Sequence, residues 1–235
     1  MAKSITNRCV QQDPTHPLAL KQIELWLGQC AHEHDQCSVI GQDPMKLPTR
    51  VLDLNQLPKK DSMDTINSLR DRFTEGKCKL VESGTHYKGQ YVALSYCWGK
   101  TLAFKTTTGN LQSHKDGFNF SLLPRTLQDA ILMTRYLNLR YIWIDCLCII
   151  QDDKADWERE AALMADVYSN AFLTIAAARA SDSQEGFLGD RKTMPMDPVQ
   201  FEDELGSYCL YFYDYDISAG PGAAATVVLD PLVVS

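Results

Sequence analysis

The spacing of apolar residues near the start of the chain predicts one long helix. Between residues 18 and 37, apolar side chains recur every three or four positions, which is the period of an amphipathic α-helix. The residues of this stripe are Leu20, Ile23, Trp26, Leu27 and Cys30. We therefore expect the stripe, Trp26 included, to lie in the core. Residues 38–48, with one glycine and two prolines, are typical of a linker.

Two short apolar runs follow the linker. TRVLDL (49–54) and KCKLVES (77–83) each predict a strand. The segment 55–76 between them is polar and charged. We expect a small β-element that leads into the main domain.

From residue 90 onward, apolar strands alternate with helical patterns. The strands are QYVALSYCWG (90–99), RYIWIDCLCII (140–150) and FLTIAAA (172–178). Continuous apolar runs of this kind are typical of strands buried on both faces, so Trp143 is expected in the core. Helices over 123–139 and 156–170 separate the strands. The alternation predicts an α/β fold with an open, mostly parallel, flavodoxin-like sheet flanked by helices.

Local signals place the ends of some elements. Thr126 and Asp129 have the spacing of a capping box for the first of these helices, and Asn138 is suited to end it. Residues 197–216 predict a strand or a hairpin, whereas the last residues of the chain give no clear signal.

Charge and composition exclude several classes of function. The net charge of −7 and the absence of a basic stripe argue against a nucleic-acid-binding protein. The N-terminus has no apolar segment of a signal peptide, and no apolar run approaches the ~20 residues of a membrane span. A cytoplasmic location is therefore expected, with the eight cysteines as thiols.

One acidic residue lies close to the apolar face of the helix over 156–170. A stripe is predicted through Trp157, Ala161, Met164, Tyr168 and Ala171. Glu160 falls at the edge of this stripe, so its carboxylate either reaches out to water or lies at the rim of a cleft.

The strand ends supply further candidates for a site. Ligands of open α/β sheets bind outside the carboxyl ends of the strands. Tyr96, Trp98 and Gly99 follow the first parallel strand, and with Trp157 they are candidate substrate-binding residues around Glu160. Asp145 is either a second acid or a cap of the next turn.

Four ordered blocks resemble the heterokaryon-incompatibility (HET) domain of filamentous fungi. The blocks are YVALSYCWG, LPRTLQDAI, YIWIDCLCIIQDD and DWEREAALMADVYSNAFLTIAA. The resemblance implies non-self recognition and programmed cell death, with a HET domain over 46–190 and core blocks over 90–190. An N-terminal helical segment (1–45) precedes it. A C-terminal extension (191–235) follows, and we expect it to be truncated, because larger members continue beyond a similar PL dipeptide.

HET domains are in turn remotely similar to Toll/interleukin receptor (TIR) domains, some of which hydrolyse NAD. By this resemblance Glu160 corresponds to the TIR catalytic glutamate, with Asp145 as a candidate second acid. The protein is then an NAD nucleosidase with NAD as substrate and no cofactor. A carboxylate would stabilise the ribosyl cation, and Trp98 or Trp157 would bind the nicotinamide ring.

Other hypotheses stay open at this point. Cys97, Cys146 and Cys148 are candidate nucleophiles, although buried cysteines are usually core residues. Cys30, His34 and Cys37 share a helix face as weak candidate metal ligands, but no metal site is expected.

The alternative function is a non-catalytic signalling module. It would act by self-association or by recruiting another incompatibility protein. An open cleft at Glu160 favours the enzyme, whereas a salt bridge from Glu160 to Arg125, Arg135 or Arg159 favours the module.

Overall fold

The computed structural model of the protein describes residues 11, 13–33, 46–62, 64–84, 88–100, 104–190, 199–203, 206–212 and 227–231. The helices are α1 (Pro17–Glu33), α2 (Ile66–Phe73), α3 (Leu111–Asp116), α4 (Arg125–Tyr136), α5 (Asp145–Cys148) and α6 (Lys154–Ser169), with one 3₁₀ turn at Phe120–Leu122. The strands are β1 (Arg50–Asp53), β2 (Lys77–Glu82), β3 (Tyr91–Ser95), β4 (Phe118–Asn119), β5 (Tyr141–Trp143), β6 (Leu173–Ala176), β7 (Val199–Asp203), β8 (Gly206–Phe212) and β9 (Val227–Pro231).

Strands β1 to β6 form an open six-stranded sheet in the order β4-β2-β1-β5-β3-β6. This confirms the predicted open α/β sheet. Only β5, β3 and β6 are parallel, because β1 pairs antiparallel with both β2 and β5, and β4 pairs antiparallel with β2. The expectation of a mostly parallel sheet therefore holds only for the part built from residues 90–178.

The two upstream strands are part of this main sheet and not a separate small β-element. Leu52 of β1 pairs with Ile142 of β5. The three residues of β5 are all buried, and β5 is a central strand with β1 on one side and β3 on the other. The predicted strands over 49–54 and 77–83 are confirmed, but the prediction that they form a separate small β-element was wrong.

The second predicted parallel strand is much shorter than 140–150. It ends at Trp143, and Asp145–Cys148 forms the short helix α5. A buried apolar run does not distinguish a strand from a helix, which explains the error. The third predicted strand, FLTIAAA, lies at the edge of the sheet, so its residues alternate between exposed and half-buried instead of being fully buried.

Two helices lie in segments for which the sequence pattern predicted no helix. Helix α2 buries Ile66, Leu69 and Phe73, and Thr65 and Ser68 form a true capping box at its start. Helix α3 lies within the loop-like segment 100–122. In both cases apolar residues at helical spacing are too few to stand out from their charged neighbours.

Predictions for the remaining elements are mixed. Asn138 has a positive φ of 60° directly after α4, as expected of a residue that ends a helix. Trp143 is 1% exposed, as predicted, whereas Trp26 is 60% exposed. Helix α1 fully buries only Leu20, and the other residues of the predicted stripe are half-buried or exposed. The tail forms the predicted hairpin, β7 with β8, and β9 adds a third strand.

The chain divides into two compact units. One is Leu20–Leu188, and the other consists of Met1–Ala19 and Gly189–Ser235. The predicted boundaries after residues 45 and 190 stay predictions. A membrane-crossing helix is absent from the described part of the chain.

Helix α3 carries a buried histidine. His114 is 6% exposed and stacks on Phe104. Its Nδ1 is 2.9 Å from Thr106 Oγ1, whose single proton is donated to Leu147 O. Nδ1 therefore carries the proton of a neutral imidazole and donates it to Thr106. Burial lowers the pKa of His114.

We expect His114 to make the protein less stable in mild acid. Because its folded-state pKa lies below the unfolded value of about 6.5, the unfolded chain takes up the proton first. The contribution of the neutral His114 side chain to the free energy of unfolding is then fully present above that pH, and it falls as the pH drops below it. Urea unfolding at about pH 7 and about pH 5 should show a smaller difference for His114→Gln than for the wild type. Replacing the exposed His32 should leave the difference unchanged, and an equal difference in all three proteins would contradict the prediction.

Candidate functional site

The three parallel strands have a topological switch point. The chain runs from β3 to β5 on one side and then crosses to β6 on the other side of β3. In a flavodoxin-like sheet, ligands bind in the crevice between the two strands where the connections diverge, outside their carboxyl ends. Here those strands are β3 and β6.

A cavity of about 280 Å³ lies at this switch point. Its lining residues follow β3 and β6 and are Gly99, Lys100, Ser181, Asp182, Ser183 and Gln184. We call it the switch-point crevice. Gly99 has a φ of +79°, and a Cβ there would lie 2.5 Å from Asp182 Cβ. Glycine therefore lets the two loops approach each other.

Ser183, one of the lining residues, has an unusual environment. It is fully buried, and its Oγ has no hydrogen-bond partner within the described residues. Its carbonyl accepts a hydrogen bond from Thr126 N at 3.0 Å. The backbone is thus fixed while the hydroxyl stays unpaired, although a buried hydroxyl without a partner is costly.

The predicted capping box at Thr126 and Asp129 is wrong, because both side chains bind the loop after β6 instead. Thr126 Oγ1 donates to Asp182 O at 3.0 Å and accepts from Gly186 N at 3.1 Å. Helix α4 begins after Pro124 with no side-chain cap.

Asp129 completes this attachment and is fully buried. Its Oδ2 accepts hydrogen bonds from the backbone amides of Phe187 and Leu188 at 2.8 and 2.9 Å. Its Oδ1 lies 2.8 Å from Arg70 Nη2. Helix α4 therefore holds one wall of the switch-point crevice through a buried carboxylate.

Two of the predicted site residues, Trp98 and Asp145, contact each other, although the sequence analysis had placed Trp98 around Glu160. Trp98 Nε1 donates to Asp145 Oδ2 at 2.8 Å. Tyr96 lies beside Asp145 and Cys146, and burial first, then these neighbours, raises its pKa. Burial also raises the pKa of Asp145 despite the hydrogen bond from Trp98. Asp145 Oδ1 also accepts from Cys146 N, so the residue starts α5 as well as binding Trp98.

Glu160 is not at the rim of a cleft, because it is 3% exposed. Its Oε1 lies 3.8 Å from Arg50 Nη2 and 3.4 Å from Arg159 Nε. The buried face of α6 consists of Asp156, Glu160 and Val167. The stripe drawn through Trp157 was rotated around the helix, since Trp157 is 51% exposed. The contact with Arg159 is one of the three salt bridges that the sequence analysis named as favouring a non-catalytic signalling module over an enzyme.

Asp156 is the centre of this buried ionic cluster. It is 2% exposed and forms ion pairs with Arg50 and Arg159. Its Oδ2 also accepts from Ile150 N at 2.9 Å, while Arg50 Nε donates to Cys148 O at 2.6 Å. The cluster thus joins β1, the segment after α5, and α6.

Sequence reasoning missed Arg50, Asp156 and Ser183. Arg50 lies in TRVLDL, where it was taken as an ordinary strand residue, and only its 4% exposure shows its role. A signal for Asp156 was present, because it lies one helical turn before Glu160. No pattern in the sequence marks Ser183.

The candidate cysteines differ in exposure. Cys146 and Cys148 are buried, and burial raises the pKa of Cys148 to about 12, which disfavours a thiolate nucleophile. Cys97 is exposed. Cys30 is half-buried on α1, whereas His34 and Cys37 lie outside the described residues.

Comparison with known proteins identifies relatives. The family model described as heterokaryon incompatibility protein (HET) matches residues 91–208. Heterokaryon incompatibility protein 6, OR allele, from Neurospora crassa is 33% identical over 92 residues, covering 36% of this chain and 14% of that protein. The chain therefore matches only a small part of this relative's length. No solved structure matches.

Proposed function

Because the chain belongs to the heterokaryon incompatibility family, we propose that it acts in fungal non-self recognition and cell-death signalling as a non-catalytic module. The observation that carries the choice of a module is the closed environment of Glu160. The module would act by self-association or by binding another incompatibility protein.

A carboxylate that stabilises a ribosyl cation must touch the substrate. Glu160 is instead 3% exposed, and two arginine side chains lie within 4 Å of it. Its negative charge compensates Arg50, which is itself 4% exposed. The geometry supports a structural role for Glu160, since a buried cation needs a nearby anion.

NAD hydrolysis is the second candidate, and the pair Trp98–Asp145 favours it. An indole and a carboxylate lie at the carboxyl ends of parallel strands, where α/β sheets bind ligands. In this version Asp145, and not Glu160, supplies the carboxylate, with Tyr96 and Trp98 as the aromatic surface.

Glu160→Gln is expected to retain full activity in an incompatibility assay and to melt within a few degrees of the wild type. The amide keeps the shape of the side chain, and Asp156 still pairs with Arg50. Cell death on expression in a fungal host would be scored beside nicotinamide release from NAD by the purified protein. Glu158→Gln, an exposed glutamate on the same helix, is the matched control.

Nicotinamide release by the wild type that is lost in Glu160→Gln, with the fold retained, would overturn the module. Release that is lost only in Asp145→Asn would establish the second candidate. Because association is part of the proposal, the nicotinamide assay would be repeated at high concentration of the purified protein.

A further inference from the structure

We propose that helix α3 is an acid-sensitive latch on α5, the short helix that begins at Asp145. Protonation of His114 undocks α3 and loosens the segment that fixes α5. The inference goes beyond the module function and does not depend on it. It rests on the anchoring of α3 by one buried side chain, on the hydrogen bond between His114 and Thr106, and on the hydrogen bonds of Thr106 with residues 146–151.

The latch helix is anchored by a side chain that can change its charge. Of the six residues of α3, only His114 is buried. Its ring stacks on Phe104 with centroids 5.2 Å apart, and its centroid lies 4.9 Å from that of Phe118. A helix of this length has little stability of its own and depends on tertiary packing. Docking of α3 therefore depends on an imidazole that must stay packed against two aromatic rings.

Thr106 connects this anchor to α5. Its Oγ1 lies 2.9 Å from His114 Nδ1 and donates to Leu147 O at 2.7 Å. Its backbone N donates to Cys146 O at 3.0 Å, and its carbonyl accepts from Gln151 N at 2.9 Å. Thr106 is fully buried, so water does not replace these bonds in the docked state. Three hydrogen bonds thus hold α5 and the segment after it, and His114 supports the side chain that makes one of them.

The charges around His114 do not stabilise an imidazolium. Burial is the cause of the shift in the pKa of His114, and no nearby charge contributes to it. The titratable groups on the elements packed against it are Lys77, Cys78, Lys79 and Glu82 on β2, Lys105 beside Thr106, Lys115 and Asp116 on α3, Asp145, Cys146 and Cys148 on α5, and Asp152 after α5. Each carboxylate among them bonds to another residue, Glu82 to Lys115, Asp116 to Gln112, Asp145 to Trp98 and Asp152 to Thr108. An imidazolium would therefore be buried without an anion among the described residues, which is costly.

Acid shifts α3 from the docked to the undocked state. Burial lowers the pKa of His114 in the docked state, whereas the imidazole of an undocked helix has an ordinary pKa of about 6.5. As the pH falls, the undocked state takes up the proton first. Docking is therefore strongest above about pH 6.5 and weakens below it. Thr106 then loses its partner on α3, and its hold on α5 is loosened.

The latch reaches the contact between Trp98 and Asp145. Asp145 is the first residue of α5, and its Oδ2 accepts from Trp98 Nε1 at 2.8 Å. Gln151, whose backbone N donates to Thr106, also donates from its side chain to Asp145 O at 3.2 Å. Loosening of α5 in mild acid would therefore also loosen this contact.

The test is native-state hydrogen exchange of the full chain, followed by NMR at about pH 7 and about pH 5 and corrected for intrinsic rates. We expect the amides of Thr106 and Gln151 to exchange faster than those of Leu54 and Phe172, which bond within the sheet. Low concentrations of urea should hardly change the faster rates, because local opening exposes little surface. At the lower pH the protection of both amides should fall by about threefold or more, up to a limit of about thirtyfold set by an undocked pKa of about 6.5.

Two variants separate His114 from other titrating groups. In His114→Gln the side chain is neutral at both pH values and can still bond to Thr106, so the protection of the two amides should not change with pH. His32→Gln, which replaces an exposed histidine of α1, should keep the wild-type difference. An NMR titration of the wild type needs no substitution, and in it the pKa of His114 should lie below about 6.5.

Several outcomes would overturn the latch. One is exchange of Thr106 and Gln151 only by global unfolding, with the rates and urea dependence of Leu54 and Phe172. Others are equal protection at both pH values, or a loss of protection in His114→Gln as large as in the wild type. A measured pKa of His114 at or above about 6.5 would overturn it even if His114→Gln failed to fold. These measurements involve no incompatibility assay, so failure of the latch leaves the module proposal untouched.

Discussion

Replacing Asp156 by alanine is expected to lower the free energy of unfolding by about 3–5 kcal/mol, because it leaves a buried arginine without its main partner. Arg50 and Asp156 are both almost wholly buried and form a direct ion pair. Alanine would also remove the acceptor of Ile150 N. Glu160, with its Oε1 3.8 Å from Arg50 Nη2, compensates only in part.

Urea unfolding at neutral pH measures this loss directly. The matched control is Glu158→Ala, whose exposed carboxylate pairs with Lys154 at 3.6 Å, so its effect should stay below about 0.5 kcal/mol. Equal effects of the two substitutions would show that the buried cluster contributes no more than a surface pair.

The same buried ionic cluster makes the free energy of unfolding depend on pH in the acidic range. Burial opposes ionisation of Asp156, but the hydrogen bonds from Arg50 and Ile150 N outweigh it, and its pKa is lowered. With the folded-state pKa below the unfolded one, the stabilisation is present above about pH 4 and is lost as the pH falls through the folded value.

Replacing Asp129 by asparagine is expected to cost about 3 kcal/mol and to loosen the loop that forms one wall of the switch-point crevice. The carboxylate accepts bonds from Arg70 and from two backbone amides, all donors. An amide group of the same shape must turn an NH₂ toward one of them. It also leaves Arg70 without a negative partner.

Unfolding in urea and hydrogen exchange would separate the two effects. The amides of Phe187 and Leu188 should exchange faster in Asp129→Asn under native conditions. Arg125→Ala is the control, because Arg125 is 46% exposed in its side chain, lies 3.5 Å from Asp129, and should cost under about 1 kcal/mol. Unchanged exchange of both amides in Asp129→Asn would contradict the role of Asp129 in fixing the loop.

The sequence was sufficient to predict the parallel part of the fold. The strands at β3 and β5 and helices α4 and α6 follow from continuous apolar runs and helical periodicity, and the structure contains all four. The placement of β1 beside β5 could not be predicted, because strand neighbours that are distant in sequence are set by tertiary packing and not by local pattern. Helix α2 was missed because its buried residues lie in a strongly polar segment.

The candidate site was predicted less completely than the fold. The contact between Trp98 and Asp145 agrees with the rule that parallel strand ends share one edge, but the sequence analysis had placed Trp98 around Glu160. Glu160 was correctly singled out as unusual, but its partner Arg50 is 110 positions away in the chain, beyond the reach of helical geometry. Thr126 and Asp129 show the same limit, because residues at capping spacing form hydrogen bonds with a distant loop instead.

The position of β1 has a consequence for the inheritance of this fold. The family match begins at Tyr91, yet β1 and β2 lie inside the same sheet, and Arg50 compensates the acids of α6. A gene rearrangement that moved only residues 91–208 would expose an edge of β5 and bury two carboxylates without Arg50. When this domain is transferred between genes, the breakpoint should therefore lie upstream of residue 50. The unit that is inherited together is then longer than the most recognisable sequence blocks.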